Sequence, residues 1–320
     1  MTSADGMAGP VDGDGVVIAV PTFRRVDQLR ELLPLLAAQA QSLSPAALVI
    51  VADNDPAGSA EHVVSEWSER GVRYVHEPSP GLAAVRNRLL REAGTSGAIA
   101  FIDDDEAPTA DWLTRLVDAW RRFDCAAVSG PVRSVFATDP PRWVLATGVF
   151  DRRRHKTGKL MQGGASNNLL LDLGWLRAAE LHFDHGFGES GGEDTMLMHS
   201  IAARGGAIRW CDEAEVTELV PAERLTRDWV GRRLVRTSNS WARVELIIGA
   251  QAGRPLRTRF EVALRIPYFF LRGLARLGVG FVGRSPNVRA TGVCDLYKAM
   301  GVGRATLGSV SAEYRRPATS

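Results

Sequence analysis

The feature that most constrains this chain is a repeat of short apolar runs, each stopping at a polar cluster and most followed by helically spaced residues. Gly15-Val16-Val17-Ile18-Ala19-Val20 runs into Pro21, after which Leu29, Leu32, Leu33 and Leu36 recur at helical intervals between Arg25 and Ala40. Ala47-Leu48-Val49-Ile50-Val51-Ala52 stops at Asp53-Asn54-Asp55-Pro56, with Glu61 to Arg70 suited to a helix and Val72-Arg73-Tyr74-Val75 to a third strand. Gly81 precedes a stretch that sets Leu82, Val85, Leu89 and Ala93 on one helical face, and Ala98-Ile99-Ala100-Phe101-Ile102 is a fourth strand. Strands that are apolar throughout have both faces covered, and helices between them predict a mostly parallel sheet in an α/β domain.

The fourth strand runs directly into Asp103-Asp104-Asp105-Glu106. Asp has poor strand propensity and repels its like-charged neighbours, so three at a strand end are relieved best by a cation. Oxygen donors at that density suit Mg2+ or Mn2+, which in turn suits a phosphate-bearing substrate. A solvated acidic turn capping a helix over Pro108 to Arg122 is the competing structural reading. In open α/β sheets ligands bind outside the carboxyl ends of the strands. Three polar clusters are expected there: Pro21-Thr22-Phe23-Arg24, Asp53-Asn54-Asp55 and Asp103-Asp104-Asp105. The first turn has neither the Gly-x-Gly-x-x-Gly of a dinucleotide fold nor the Gly-Lys-Ser/Thr of a P-loop, which leaves phosphate binding to a metal.

The 320 residues are 45% hydrophobic and 24% charged, enough for a large core in one or two domains. A net charge of only +2, with no basic block interleaved with aromatics in the first half, argues against a nucleic-acid partner. Cys125, Cys211 and Cys294 are odd in number and widely spaced, which suits neither a disulfide framework nor a zinc site. Residues 1–14 lack a basic start and an apolar segment, so they read as a flexible tail, and the expected location is cytoplasmic.

Five motifs occur in order: Val20-Pro21-Thr22-Phe23-Arg24, Asp53 after the second strand, Gly81-Leu82-Ala83-Ala84-Val85-Arg86-Asn87, Asp103-x-Asp105 and Gly192-Glu193-Asp194. Together they resemble the inverting, GT-A-fold family 2 glycosyltransferases over roughly residues 16 to 240. Val216-x-Glu218-x-Val220-Pro221-x-x-Arg224, followed by Trp229 and Arg232-Arg233, looks more narrowly like bacterial exopolysaccharide glucosyltransferases of the succinoglycan type. The resemblance implies an α/β GT-A nucleotide-diphospho-sugar transferase fold with a helical C-terminal extension. Its parts would be a nucleotide-sugar-binding half at 15–130, an acceptor-binding and catalytic half at 131–240, and the extension at 241–320.

The resemblance also implies roles. Asp53 would accept a hydrogen bond from the uracil N–H, against the alternative of an Asx turn ending a strand. Pro21, Thr22, Phe23 and Arg24 would line base and ribose. Arg86 would reach base or phosphate, or else pair with Glu92 or Asp53 as a solvated charge. Asp103 and Asp104 would face the ribose and phosphate, and Asp105 would ligate the Mg2+ or Mn2+ bridging the diphosphate of a UDP-hexose. Asp194, at a helix start beside a glycine-rich stretch, would be the base that deprotonates the acceptor hydroxyl, with Glu193 the next candidate. Gly163-Gly164-Ala165-Ser166-Asn167-Asn168 offers backbone and amide groups suited to sugar hydroxyls. Many family members complete the metal or diphosphate site with a downstream His, but no His follows His199. Glu218 stands near that place, and Arg232, Arg233 and Arg236 are alternatives that would neutralise the diphosphate.

Beyond about residue 240, Val262 to Gly283 is apolar and aromatic yet contains Arg265, Arg272 and Arg276. Each Arg costs about 2.5 to 3.5 kcal/mol at a bilayer centre, so the segment is not expected to cross. Pro267 is a candidate helix start that would exclude Arg265. An amphipathic helix lying on the anionic inner face of the membrane would bring the site to a lipid-linked acceptor, and a packing or dimer helix is the alternative. Three other readings stand beside that of a transferase acting on a saccharide or lipid-linked acceptor in bacterial polysaccharide or glycoconjugate biosynthesis. One is a catalytically inactive nucleotide-sugar or metal-binding module, and one a transferase acting on a soluble small-molecule acceptor. The third, a haloacid dehalogenase-type phosphatase, would need a Thr or Val where Ala107 stands.

Overall fold

A computed structural model describes residues 15–163, 167–188 and 190–310. The expected tail at 1–14 and the Gly164-Ala165-Ser166 part of the proposed sugar segment lie outside the described residues. The first half alternates as the sequence predicts: β1 (Val16–Thr22), α1 (Val26–Gln41), β2 (Leu48–Asp53), α2 (Glu61–Ser65), β3 (Val72–His76), α3 (Leu82–Glu92) and β4 (Ala98–Ile102). The helix expected from Glu61 to Arg70 is shorter. After α2 the chain makes a separate 3-10 turn at Ser68–Arg70, closed by Gly71 at φ 78°, a left-handed conformation that glycine adopts freely.

The acidic stretch is followed by β5 (Glu106–Pro108), α4 (Trp112–Phe123), β6 (Ala127–Ser129), β7 (Val132–Phe136) and α5 (Arg142–Thr147). The helix expected from Pro108 therefore begins four residues later, because Glu106 to Pro108 is taken into strand pairing. Then come β8 (Leu160–Met161), β9 (Asn168–Asp172), α6 (Leu173–Ala178), α7 (Glu193–Ala203), β10 (Ile208–Trp210) and β11 (Val216–Val220). The main sheet has the order β3-β2-β1-β4-β9-β6-β10-β8, parallel except where β9 and β8 enter.

Alternate residues of β1 feed two cores. Val16, Ile18 and Val20 pack with α1, α2 and α4, whereas Val17 and Ala19 pack with α3, α6 and α7. This explains the unbroken apolar runs, since neither face of the sheet meets water. Pro21 is tolerated inside β1 because pairing with β4 ends at Ala19 and Phe101, so its missing N–H leaves no ladder bond unmade.

A second sheet, β5-β11-β7, was not foreseen from sequence. Its β11 sets Glu218 opposite Glu106 of β5, so residues more than a hundred positions apart meet at the end of β4. Three long helices complete the fold: α8 (Arg227–Gln251), α9 (Pro255–Val282) and α10 (Pro286–Thr306). Pro267 lies inside α9 and does not begin it; the helix starts at Pro255, in the first-turn position where proline costs least. Gly273 and Gly292 let α9 and α10 approach closely, since a Cβ on Gly273 would stand 2.9 Å from the Gly292 carbonyl oxygen. Among the described residues no helix is long and apolar enough to cross a membrane.

Candidate active site

The carboxyl ends of β1 and β4 adjoin, so Thr22 and the acidic turn share one edge. Thr22 Oγ1 donates to Asp104 Oδ2 at 2.7 Å, and Arg25 Nη1 donates to Asp104 Oδ1 at 2.6 Å. The same Arg25 nitrogen lies 2.9 Å from Asp105 Oδ2. Burial pushes the Asp104 carboxyl up to about 6, against the opposing pull of Arg25 and the Thr22 hydroxyl. Glu106 holds the turn from below: its Oε2 accepts from the Asp103 N–H at 3.1 Å and its Oε1 from Asn167 Nδ2 at 2.7 Å.

On the opposite side of Asp105 the second sheet supplies Glu218, and Arg224 spans the two carboxylates. Its Nη1 donates to Glu218 Oε1 at 2.7 Å and its Nη2 to Asp105 Oδ2 at 3.3 Å. Arg152 Nη2 takes the other Glu218 oxygen at 2.5 Å. Arg233 lies over the Trp229 ring at 5.1 Å and is pushed down to about 10 by burial, with Arg152, Arg236 and Arg224 adding repulsion. Arg232, its neighbour on α8, is exposed, because adjacent helical positions point about 100° apart. Arg25, Arg152, Arg224 and Arg233 thus gather around Asp105 and Glu218, and Arg232 is not one of them.

Arg86 joins this edge to the candidate base. It is buried on α3, donates through Nη2 to Asp103 Oδ1 at 3.3 Å and hydrogen-bonds through Nη1 to Glu193 Oε1. Its partners are neither Glu92, which pairs with Arg88, nor Asp53. Glu193 is fully buried at the first position of α7, and burial pushes it up to about 7 despite Arg86. Asp194 follows it, half-buried in the first helical turn, with Oδ1 accepting from the Thr195 N–H at 2.6 Å. Asp194 is close enough to Asp103 to help raise that carboxyl, together with burial, Asp105 and Glu218, while Arg86 opposes them. Gly192, at φ 101°, lets the chain turn into α7 with Ser240 against it. Arg243 of α8 braces the same loop, donating to Ser190 Oγ at 2.7 Å and to the Gly186 carbonyl at 3.0 Å.

The remaining sequence candidates fall on the same edge but differ in what they touch. Asp53 is fully buried; Oδ1 accepts from the Asp55 N–H and Oδ2 from the Ala60 N–H, both at 2.8 Å. It thus makes the Asx-type turn weighed as its alternative role. Pro21 is buried within β1, whereas Phe23 is exposed with Arg24 over its ring, and Arg24 pairs with Asp55 at 3.2 Å. Asn168 cannot serve sugar hydroxyls as expected. Its amide donates to the Pro131 and Ala214 carbonyls and its oxygen accepts from Trp112 Nε1, so it ties the two sheets together. Arg25, Arg152 and Arg224 had been given no role. Arg25 was detectable as the last residue before α1, at the strand end that carries Thr22, and Arg224 as the last residue of the motif that begins at Val216; Arg152 has no local signal.

Asp105 and Glu218 both reach one guanidinium, so their oxygens lie within range of a single positive centre and fit a hard divalent cation. Among the described residues no three His, Cys, Asp or Glu side chains already form a metal cage.

This architecture is that of GT-A glycosyltransferases. It aligns with the mannosyltransferase PcManGT from Pyrobaculum calidifontis, solved with GDP-Man and Mn2+, at a TM-score of 0.61 and 16% identity, covering 92% of this chain and 88% of that one. It also aligns with residues 1–349 of S. aureus TarS in complex with UDP-GlcNAc, at a TM-score of 0.54 and 14% identity over 94% of this chain and 97% of that one. Residues 17–174 match the profile of glycosyl transferase family 2. The chain is 35% identical over 259 residues to the succinoglycan biosynthesis protein ExoM of Rhizobium meliloti (strain 1021), covering 77% of this chain and 79% of ExoM. The protein belongs to glycosyltransferase family 2 and is a glycosyltransferase.

Proposed function

We propose that the protein transfers a hexosyl group, with inversion, from a UDP-hexose to a saccharide acceptor in polysaccharide assembly. The observation that carries this reading is the buried Arg86, which touches both Asp103 at the end of β4 and Glu193 at the start of α7. That link supports reading the acidic turn and Asp194 as parts of one site. In this reading the acceptor hydroxyl attacks the anomeric carbon from the face opposite the nucleotide, its proton passes to the Asp194 carboxylate, and the bond to the diphosphate breaks. Glu193 is unsuited to be the base because it is enclosed and committed to Arg86. Arg25, Arg224 and Arg233 would neutralise the departing diphosphate. Asp105, with Glu218, would hold Mg2+ or Mn2+, which when bound supplies further positive charge at the leaving group. Phe23 and Arg24 would border the base, on a loop shaped by Asp53. The similarity to a succinoglycan biosynthesis protein supports a saccharide acceptor.

Calorimetric titration of UDP with Mn2+ and then with EDTA tests the metal, and tighter binding with the ion is expected because it reverses the field of the carboxylates. Equal affinity in both conditions rejects the metal assignment. A screen of nucleotide sugars against saccharide acceptors tests the reaction; absence of turnover with every donor that binds would leave a nucleotide-sugar-binding module.

A further inference from the structure

We propose that the outward face of α9 docks the protein on an anionic phospholipid surface. The helix is apolar on two sides. Its inner side, marked by the buried Val262, Gly273 and Gly280, packs on α8 and α10. On the other side Leu256, Phe260, Leu264, Leu271, Leu274 and Val282 are between 46% and 89% exposed. Their spacing of three, four, seven and eight residues keeps them on one stripe, about 40 Å long at 1.5 Å per residue. An unbroken apolar stripe of that length marks an interaction surface.

Charge selects the occupant. Between Arg254 and Arg289 there are eight arginines and one acid, Glu261. The three in the middle of the helix are engaged by neighbouring helices of the protein. Arg272 and Arg276 pair with the buried Asp295 of α10, and Arg265 lies over the Trp241 ring of α8. Arg254, Arg257, Arg259 and Arg284 remain exposed at the two ends of the stripe. An apolar stripe with cations at both ends matches a helix lying flat in the interface of an anionic bilayer. A second copy laid along the same stripe in either direction would set arginines against arginines, which opposes a dimer there. This proposal deepens the transferase reading by placing a lipid-linked acceptor at the surface, and rests on it for that acceptor alone.

Co-sedimentation of the full chain with vesicles of phosphatidylcholine alone, or mixed with phosphatidylglycerol, tests it without turnover. Binding is expected to the mixed vesicles at low salt, weakened at high salt because the arginine contribution is screened. Leu264→Glu with Leu271→Glu should lower vesicle binding at least about tenfold, since each removes an exposed leucine that the lipid would bury. UDP affinity should be unchanged, which also shows that the variant folds. Protein left in the supernatant with mixed vesicles at low salt overturns the proposal. So does a concentration-dependent dimer that the double variant dissociates while vesicle binding stays the same. Failure of sugar transfer with vesicle binding intact counts against the transferase reading and not against docking.

Discussion

Asp295 and Asp105 each face a pair of arginines, and the two pairings do different work. On α10, Asp295 has no exposed surface and both its oxygens are taken by Arg272 and Arg276, one helical turn apart on α9. At the end of β4, Asp105 is one-fifth exposed and is held by Arg25, just before α1, and by Arg224, after β11. The first arrangement is closed, with all partners on two packed helices, so it can only join them. The second is open to solvent and takes its cations from separate elements, so a ligand can replace one cation without dismantling a helix pair. An ion pair therefore signals function by what surrounds it and by which elements supply it.

The largest expected effect lies at the open site: Asp194→Asn should lower transfer about 100- to 10,000-fold while UDP binding and fold persist, because the amide keeps the shape but takes no proton. Steady-state rates under chemistry-limited conditions check it, and activity within a few-fold of wild type would move the base elsewhere. Next comes the closed site. Asp295→Ala strips a buried acceptor from two arginines that are themselves partly solvated and should cost about 1.5 to 3 kcal/mol in denaturant unfolding; a change under about 1 kcal/mol would erase the contrast between the two sites.

Asp105→Ala should behave in the opposite manner, changing unfolding free energy by no more than about 1 kcal/mol because its pairs are partly solvated. Metal-dependent UDP binding should nonetheless disappear in calorimetry. A variant that still binds UDP more tightly with Mn2+ would take the ligand role from Asp105.

The smallest effect sharpens the comparison through pH. Burial raises Glu193 to about 7 from an ordinary 4.5, so the folded state keeps a proton that the unfolded chain has already lost. Its contribution to stability is thus full below about pH 4.5 and declines as pH rises through about 7. Melting temperatures of wild type and Glu193→Gln measured from pH 5 to 8 should show a shallower decline in the variant; parallel curves would mean that Glu193 is not the group titrating.

Much of this was legible in the chain because it rests on local order. The apolar runs at Val16, Leu48 and Ala98 dictated covered strands, and the acids after Ile102 had to fall at a strand's carboxyl end whatever the remaining packing. Glu193 and Asp194 were readable as the start of a helix. Within those limits the helix from Glu61 to Arg70 came out too long, since Gly71 and the preceding 3-10 turn depend on how β3 meets β2. The helix expected from Pro108 started too early for a similar reason, its first residues being drawn into pairing with β11.

The sequence by itself determined the sheet, the edge where the site lies and the acids that line it, because propensity, periodicity and the end of a strand are properties of neighbouring residues. Only the tertiary structure decided which cations answer those acids. Arg25, Arg152 and Arg224 come from three distant segments, and Arg86 meets Glu193 instead of Glu92 because the fold brings the start of α7 to the buried side of α3. The same holds for α9: the sequence showed three arginines in an apolar segment, but only the positions of Asp295 and Trp241 showed that they answer α8 and α10 and leave the leucines on the other side. A charge in a sequence fixes a sign, and its partner is fixed only when the chain has folded around it.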